Sequence, residues 1–312
     1  MPLPPNIDFF VKSIYEQNIE QPTDIRRHRD EWRAILASLN IKNSEVADVK
    51  DISNEKIQLR IYTPYGVGPF PILIYYPGGA FVYSELSSHD MLCRDICAKS
   101  RYVVINVKTR VAPEHTPEEG LEDAYQALRW CIEHANELAG SPDAIILSGD
   151  SSGGNFAALV AIRAAINNLS NVKGQLLLMP ATDLARTGES HRIYDKGYLL
   201  DRVDWFYDFY IPKGVDRKNP RISPLYADIP SNMAPAKIIF ATYDPLADDA
   251  KLYYQHLQAA GILVTLEEAP VIHGMHLFES VIDTMAYPQT AMRSRLITAL
   301  NDFKTILPLP AS

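Results

Sequence analysis

Residues 145–155 constrain this chain more than any other stretch. An apolar, branched run, Ile145-Ile146-Leu147, stops at Gly149-Asp150-Ser151-Ser152-Gly153, and a small-residue, helix-favouring run over 156–162 starts at once. The grammar is strand, sharp turn, helix. A serine hydroxyl is a poor nucleophile unless it is held out beside a base, and a tight strand-to-helix turn does this with strained backbone angles. The flanking glycines keep neighbouring Cβ atoms from colliding. The following helix aims its unbonded N–H groups and positive dipole end at the reacting oxygen. A bare Gly-x-Ser-x-Gly arises by chance in roughly one chain in ten of this length, so the flanking elements carry the weight. The competing reading is a glycine-rich phosphate cradle before a helix. It lacks the Gly-Lys-Ser/Thr of a Walker loop.

The surrounding pattern fits such a turn. Residues 6–40 read as two helices, the second capped at Pro22-Thr23-Asp24, ended at Asn40, and carrying Ile25, Trp32, Ile35, Leu36 and Leu39 on one face. Residues 56–63 alternate with Ile57, Leu59 and Ile61 on one side, an edge-type strand. Apolar strands over 71–76, 101–107, 144–148, 175–179, 237–242 and 262–267 then alternate with helices over 88–100, 118–139, 152–168, 246–260 and 288–304. Near-continuous apolar strands separated by helices predict an α/β fold, a mostly parallel central sheet flanked by helices. Sites in such sheets lie beyond the carboxyl ends of the strands. Residues 181–222 interrupt the alternation and are rich in aromatics, Trp205, Phe206 and Tyr210 among them. An insertion of that length reads either as a satellite cluster over the sheet edge or, the reading preferred, as a lid on an apolar pocket.

Bulk properties exclude several classes. The 312 residues carry a net charge of −8 and show no basic run, so nucleic acid is not an expected partner. Hydrophobic content of 47 % supports a sizeable core. No apolar run is long enough to cross a bilayer. The opening Met1-Pro2-Leu3-Pro4-Pro5-Asn6 lacks the charged-then-apolar order of a signal peptide. Three cysteines, an odd number, fit a reducing cytoplasm. Cys93 and Cys97 share a helical face, but no second pair is spaced to complete a metal site, and core thiols are the preferred reading.

A serine nucleophile needs a base within reach and an acid to fix the base's tautomer, in the chain order Ser, acid, His. His191 falls in the insertion and His256 inside a helix. His273, in the loop Pro270-Val271-Ile272-His273-Gly274-Met275-His276, follows the last strand and is preferred to His276. Asp244 lies just past a strand end and reads as the acid rather than as a helix cap, whereas Asp248 and Asp249 fall where acidic residues ordinarily favour the helix dipole. The strand over 71–76 runs into Pro77-Gly78-Gly79-Ala80-Phe81. That reads as a simple turn or, beside the elbow, as a source of oxyanion-binding amides.

Together these stations resemble the hormone-sensitive-lipase-like (bacterial family IV) esterases of the α/β-hydrolase superfamily. Val111-Ala112-Pro113-Glu114-His115, Asp244-Pro245-Leu246-Ala247-Asp248 and His273-Gly274-Met275 carry the resemblance beside the elbow. It implies Ser151, Asp244 and His273 as a triad, and the amides of Gly78, Gly79 and Ser152 as an oxyanion hole. It also implies a helical cap, made from residues 1–45 and the 181–222 insertion, over a catalytic domain spanning 46–312. Phe81, Val82, Tyr83, Trp205, Phe206, Tyr210 and Met275 are the expected pocket residues. Two departures stand out: Pro77 replaces the usual His of the His-Gly-Gly-Gly signature, and Ala80 its third Gly. The activity implied is a serine carboxylesterase acting on short- to medium-chain esters through an acyl-enzyme. An amidase or formamidase with the same triad, and a non-catalytic small-ligand receptor, are the alternatives. No metal or organic cofactor is expected. The expected partner is a small-molecule ester, with a homodimer left open.

Overall fold

A single eight-stranded sheet organises the computed structural model, which describes residues 2–16, 24–38, 43–54, 57–282 and 284–307. Its strands are β1 Asp48–Ser53, β2 Gln58–Thr63, β3 Phe70–Tyr76, β4 Val103–Lys108, β5 Gly140–Asp150, β6 Val172–Leu178, β7 Ala236–Tyr243 and β8 Val264–Ile272. Their spatial order is β1-β2-β4-β3-β5-β6-β7-β8. The β1–β2 and β2–β4 pairs are antiparallel; every later pair is parallel. The helices are α1 Pro5–Tyr15, α2 Ile25–Ser38, α3 Asp90–Ser100, α4 Pro117–His134, α5 Ser152–Ile166, α6 Ser190–Ile193, α7 Val203–Tyr210, α8 Ala247–Ala259, α9 Met275–Phe278 and α10 Met292–Lys304.

The apolar strands are explained by burial on both faces. Along β3, Ile72, Ile74 and Tyr76 join a core with residues of α4, α5 and α8, while Leu73 and Tyr75 point into a second core with α3 and α10. Helix α5 runs through the middle, apolar nearly all round, with only Arg163 and Ile166 outside its buried set. Helix α4 starts at a capping box: Thr116 accepts from the Glu119 amide, and the Glu119 carboxylate accepts from that of Thr116.

Some expectations need correction. Strand β1 was not expected, because its exposed Asp48, Lys50 and Asp51 hide any apolar stripe. It covers β2, which is therefore not the sheet edge. The predicted 262–267 strand extends to Ile272, since its pairing with β7 continues to Tyr243↔Ile272. The last helix begins at Met292 after a separate 3₁₀ turn over Pro288–Thr290, and α4 ends at His134 with another over Ala135–Leu138. Asp24 Oδ1 accepts from the Arg26 amide at the start of α2. Pro22, Thr23, Leu39, Asn40 and Lys56 lie outside the described residues. Among the described residues no helix is long and apolar enough to cross a membrane.

The 181–222 stretch leaves the carboxyl end of β6 and meets the N-terminal helices. His28 of α2 packs on Trp205 and Phe206 of α7, with ring centroids 5.6 and 5.2 Å apart. The Tyr15 hydroxyl donates to Asp201 Oδ2 at 2.7 Å and accepts from the Leu199 amide at 3.2 Å. Arg29 anchors α2 from the other side. It donates to the Val82 and Ala112 carbonyls, both at 2.6 Å, and forks onto the Glu114 carboxylate. The Val111–His115 motif thus seats a helix.

Candidate active site

Ser151 sits between the end of β5 and the start of α5 with φ 54° and ψ −122°. A non-glycine residue there stores strain of about 1–3 kcal/mol, which persists only if the surroundings over-determine it. They do. The Ser151 amide donates to the Leu178 carbonyl at 3.0 Å, and its own carbonyl accepts from Ala181 at 3.0 Å and Asn155 at 3.2 Å. The tightness comes from Gly153, where a Cβ would stand 1.8 Å from the Tyr76 carbonyl oxygen. No other residue lets the first turn of α5 press against the end of β3.

His273 and Asp244 arrive by register. Tyr243 and Ile272 are partners across the parallel β7–β8 pair, so the next residue on each strand emerges side by side. His273 Nδ1 lies 2.7 Å from Asp244 Oδ2. Asp244 is fully buried, and its other oxygen, Oδ1, accepts from the Leu246 amide at 2.8 Å. It therefore braces the turn into α8 as well as the imidazole. Burial works against charging His273. The Asp244 carboxylate outweighs it, with Asp150 and Asp249 adding to the same field, so the imidazole pKa stands above its ordinary value. Ser151 and His273 line one cavity of about 680 Å³. Among the described residues no hydrogen bond joins Ser151 Oγ to the ring; such bonds are often long before substrate binds. The other histidines that follow Ser151 in the chain are placed elsewhere: His191 Nε2 is 2.6 Å from Asp249, His256 bonds the Ala227 carbonyl, and His276 lies beside Asp150.

The amide donors need one correction. Gly78 lines the cavity, but its N–H is already engaged: it donates to the buried Asp150 Oδ1 at 2.9 Å. The Gly79 N–H donates to Ser152 Oγ at 3.1 Å. Among the described residues the amides of Ala80 and Ser152 have no acceptor. Gly79 and Ala80 both line the cavity.

The pocket expectation also divides. Tyr83, Trp205 and Phe206 line the cavity; Phe81, Val82, Tyr210 and Met275 do not. Left-handed backbone at Ala80 and Phe81, φ 52° and 64°, swings the Phe81 ring away from Ser151. It stacks on Tyr210 at 3.9 Å and meets Phe156 edge-on. Val82 is fully buried beside it, and Met275 is buried in the core on the opposite sheet face. In their place the walls come from Tyr15, His28, Trp32 and Ile35 of the N-terminal helices, Leu199 to Arg202 of the insertion, and Leu277 and Phe278 after the base loop. Trp32 and Ile35 already stood out as one apolar face of α2; nothing in the sequence marked that face as cavity wall rather than core.

A family model described as the alpha/beta hydrolase fold matches residues 73–277. The chain belongs to that family. Within it the chain falls in the hormone-sensitive-lipase-like branch. It is 36 % identical to a carboxylic ester hydrolase, LipN, of Mycobacterium tuberculosis, over 82 % of this chain and 72 % of that one. It is 34 % identical to an ethyl acetate hydrolase of Pseudomonas putida, over 83 % and 85 % of the two chains. Among solved structures, an esterase of Pyrobaculum calidifontis superposes with a TM-score of 0.87 at 30 % identity, covering 97 % of this chain and 99 % of its own.

Proposed function

We propose that this carboxylic ester hydrolase works by two-step acyl transfer to water, with Ser151 as nucleophile, His273 as base and Asp244 as the group that orients it. The observation that carries the reading is the 2.7 Å bond between His273 Nδ1 and Asp244 Oδ2, made at the wall of the cavity that Ser151 also lines. A carboxylate can only accept, so Nδ1 keeps its proton and Nε2 is left free to take one from the Ser151 hydroxyl. Ser151 Oγ adds to the ester carbonyl as its proton passes to Nε2. The tetrahedral oxygen rests on the amides of Gly79, Ala80 and Ser152 at the positive end of α5. His273 then returns the proton to the departing alcohol, leaving Ser151 acylated. Water, deprotonated by His273, adds to that acyl group, and collapse of the second tetrahedral species restores the hydroxyl and releases the acid.

Residues 1–45 and 181–222 form the cap in this reading, over a catalytic domain of 46–312. A cavity of about 680 Å³ with aromatic walls suits a small, largely apolar ester. The name of the Pseudomonas relative, an ethyl acetate hydrolase, supports the short end of a short- to medium-chain ester range. Three buried, unpaired thiols support a reducing compartment, the cytoplasm. The test is Ser151→Ala assayed on a short nitrophenyl ester. Turnover should fall by roughly 10⁴ to 10⁶ with the fold intact. Near-wild-type hydrolysis would remove Ser151 from the mechanism.

A further inference from the structure

Asp150 is the middle residue of the Gly149-Asp150-Ser151 turn, and the acyl-transfer scheme leaves it without a role. It is buried. Its Oδ1 accepts from the Tyr75 phenol at 2.7 Å and from the Gly78 amide at 2.9 Å. His89 Nε2 lies 3.1 Å from Oδ1, and His276 Nε2 lies 3.3 Å from Oδ2. The His89 ring is fixed in turn by the Ser88 hydroxyl, 2.8 Å from Nδ1. Side chains from β3, the start of α3 and α9 thus converge on one carboxylate directly beneath the nucleophile. Burial alone would raise its pKa. The flanking imidazoles outweigh that and hold it well below the usual carboxylate range. Two hydrogen bonds, from the Tyr75 phenol and the Gly78 amide, aim Oδ1, while the two imidazoles face the carboxylate at ion-pair distance without a hydrogen bond.

The Gly78 bond shows what is braced. Pro77 has no N–H and no polar side chain, so it cannot anchor the loop that follows. A Cβ on Gly78 would stand 2.3 Å from Asp150 Oδ2, so the loop lies directly on the carboxylate. The next two residues, Gly79 and Ala80, line the cavity; the Gly79 amide donates to Ser152 Oγ, and among the described residues the Ala80 amide has no acceptor.

We propose that Asp150 is a positioning residue for ester hydrolysis: aimed by the Tyr75 phenol and flanked by His89 and His276, it holds Gly78 and thereby sets the amides of Gly79 and Ala80 over the tetrahedral oxygen. The inference rests on the acyl-transfer reading. The test measures kcat and KM separately for the full chain on a nitrophenyl butyrate, with Asp150→Ala, Asp150→Asn and Tyr75→Phe. Losing an oxyanion donor lowers turnover by roughly 10²–10³, so Asp150→Ala should lose that much kcat with KM within about threefold. The carboxamide oxygen of Asp150→Asn still accepts from Tyr75 and Gly78, and should bring kcat back to within about tenfold of wild type. If Asp150→Ala fails to fold, Tyr75→Phe carries the test. It removes one of the two bonds that aim Oδ1, and kcat should fall roughly three- to tenfold at constant KM. An Asp150→Ala enzyme with wild-type kcat, equal losses in the Ala and Asn variants, or a Tyr75→Phe enzyme matching wild type would each overturn the proposal. Full activity in Ser151→Ala is a separate failure, of the reading beneath it.

Discussion

Asp244→Asn probes the site with the smallest change of shape. Both oxygens of Asp244 accept: Oδ2 from His273 Nδ1 at 2.7 Å, and Oδ1 from the Leu246 amide at 2.8 Å. An asparagine has one acceptor and one donor end. With its oxygen toward Leu246, its NH₂ faces Nδ1. The ring must then carry its proton on Nε2, where it cannot take one from Ser151. That tautomer error is worth roughly 10⁴ in kcat in serine hydrolases of the same logic, or about 5.4 kcal/mol. With the amide flipped, the ring keeps the right tautomer, but NH₂ meets the buried Leu246 N–H. An unmet buried donor costs about 1–3 kcal/mol of stability. The local hydrogen bonds therefore favour the first orientation, so activity should collapse while the melting temperature moves little. The assay is kcat on a nitrophenyl ester beside a thermal melt. A variant within tenfold of wild-type kcat would show that Asp244 does not set the tautomer.

Because the base must be neutral and its folded pKa is raised by Asp244, the acid limb of kcat/KM should lie above the ordinary histidine value; in Asp244→Asn the residual activity should show that limb at lower pH, and a pH–rate profile checks both. His191→Ala strips the partner from fully buried Asp249, whose carboxyl burial has already pushed up to about 6. A raised carboxyl pKa means the fold holds a proton that the unfolded chain releases, so stability falls as pH rises through that window; the variant should melt markedly lower at pH 8 than at pH 5 relative to wild type. Phe81→Ala should cost about 3–5 kcal/mol in denaturant unfolding, because the ring fills the core rather than the pocket, and KM should change little. Arg29→Ala releases four hydrogen bonds that seat α2, a wall of the cavity, and should raise KM more than it lowers kcat in steady-state assays.

The inner parallel strands were readable because they are apolar on both faces, and the meeting of His273 with Asp244 because chain order and strand ends leave few other choices. Strand β1 was not readable: its alternating charges report solvent on an edge, which composition cannot tell from a loop. Which amides face the cavity was hidden for a different reason. An N–H direction depends on backbone torsions around Gly79 and Ala80 and on a carboxylate 72 positions away from Gly78. The pocket was misjudged in the same place. Phe81 looks like a substrate contact by adjacency to the loop, and only its left-handed backbone turns it into the core.

In the mechanism proposed, the hydroxyl of Ser151 becomes covalently acylated with His273 as its base. The most direct measurement is mass spectrometry of the full chain and its peptides after reaction with a fluorophosphonate ester. One adduct should form, on the peptide bearing Ser151; it should be absent from Ser151→Ala and form far more slowly in His273→Ala. Active enzyme that stays unlabelled, or that carries the adduct on any other residue, would contradict it.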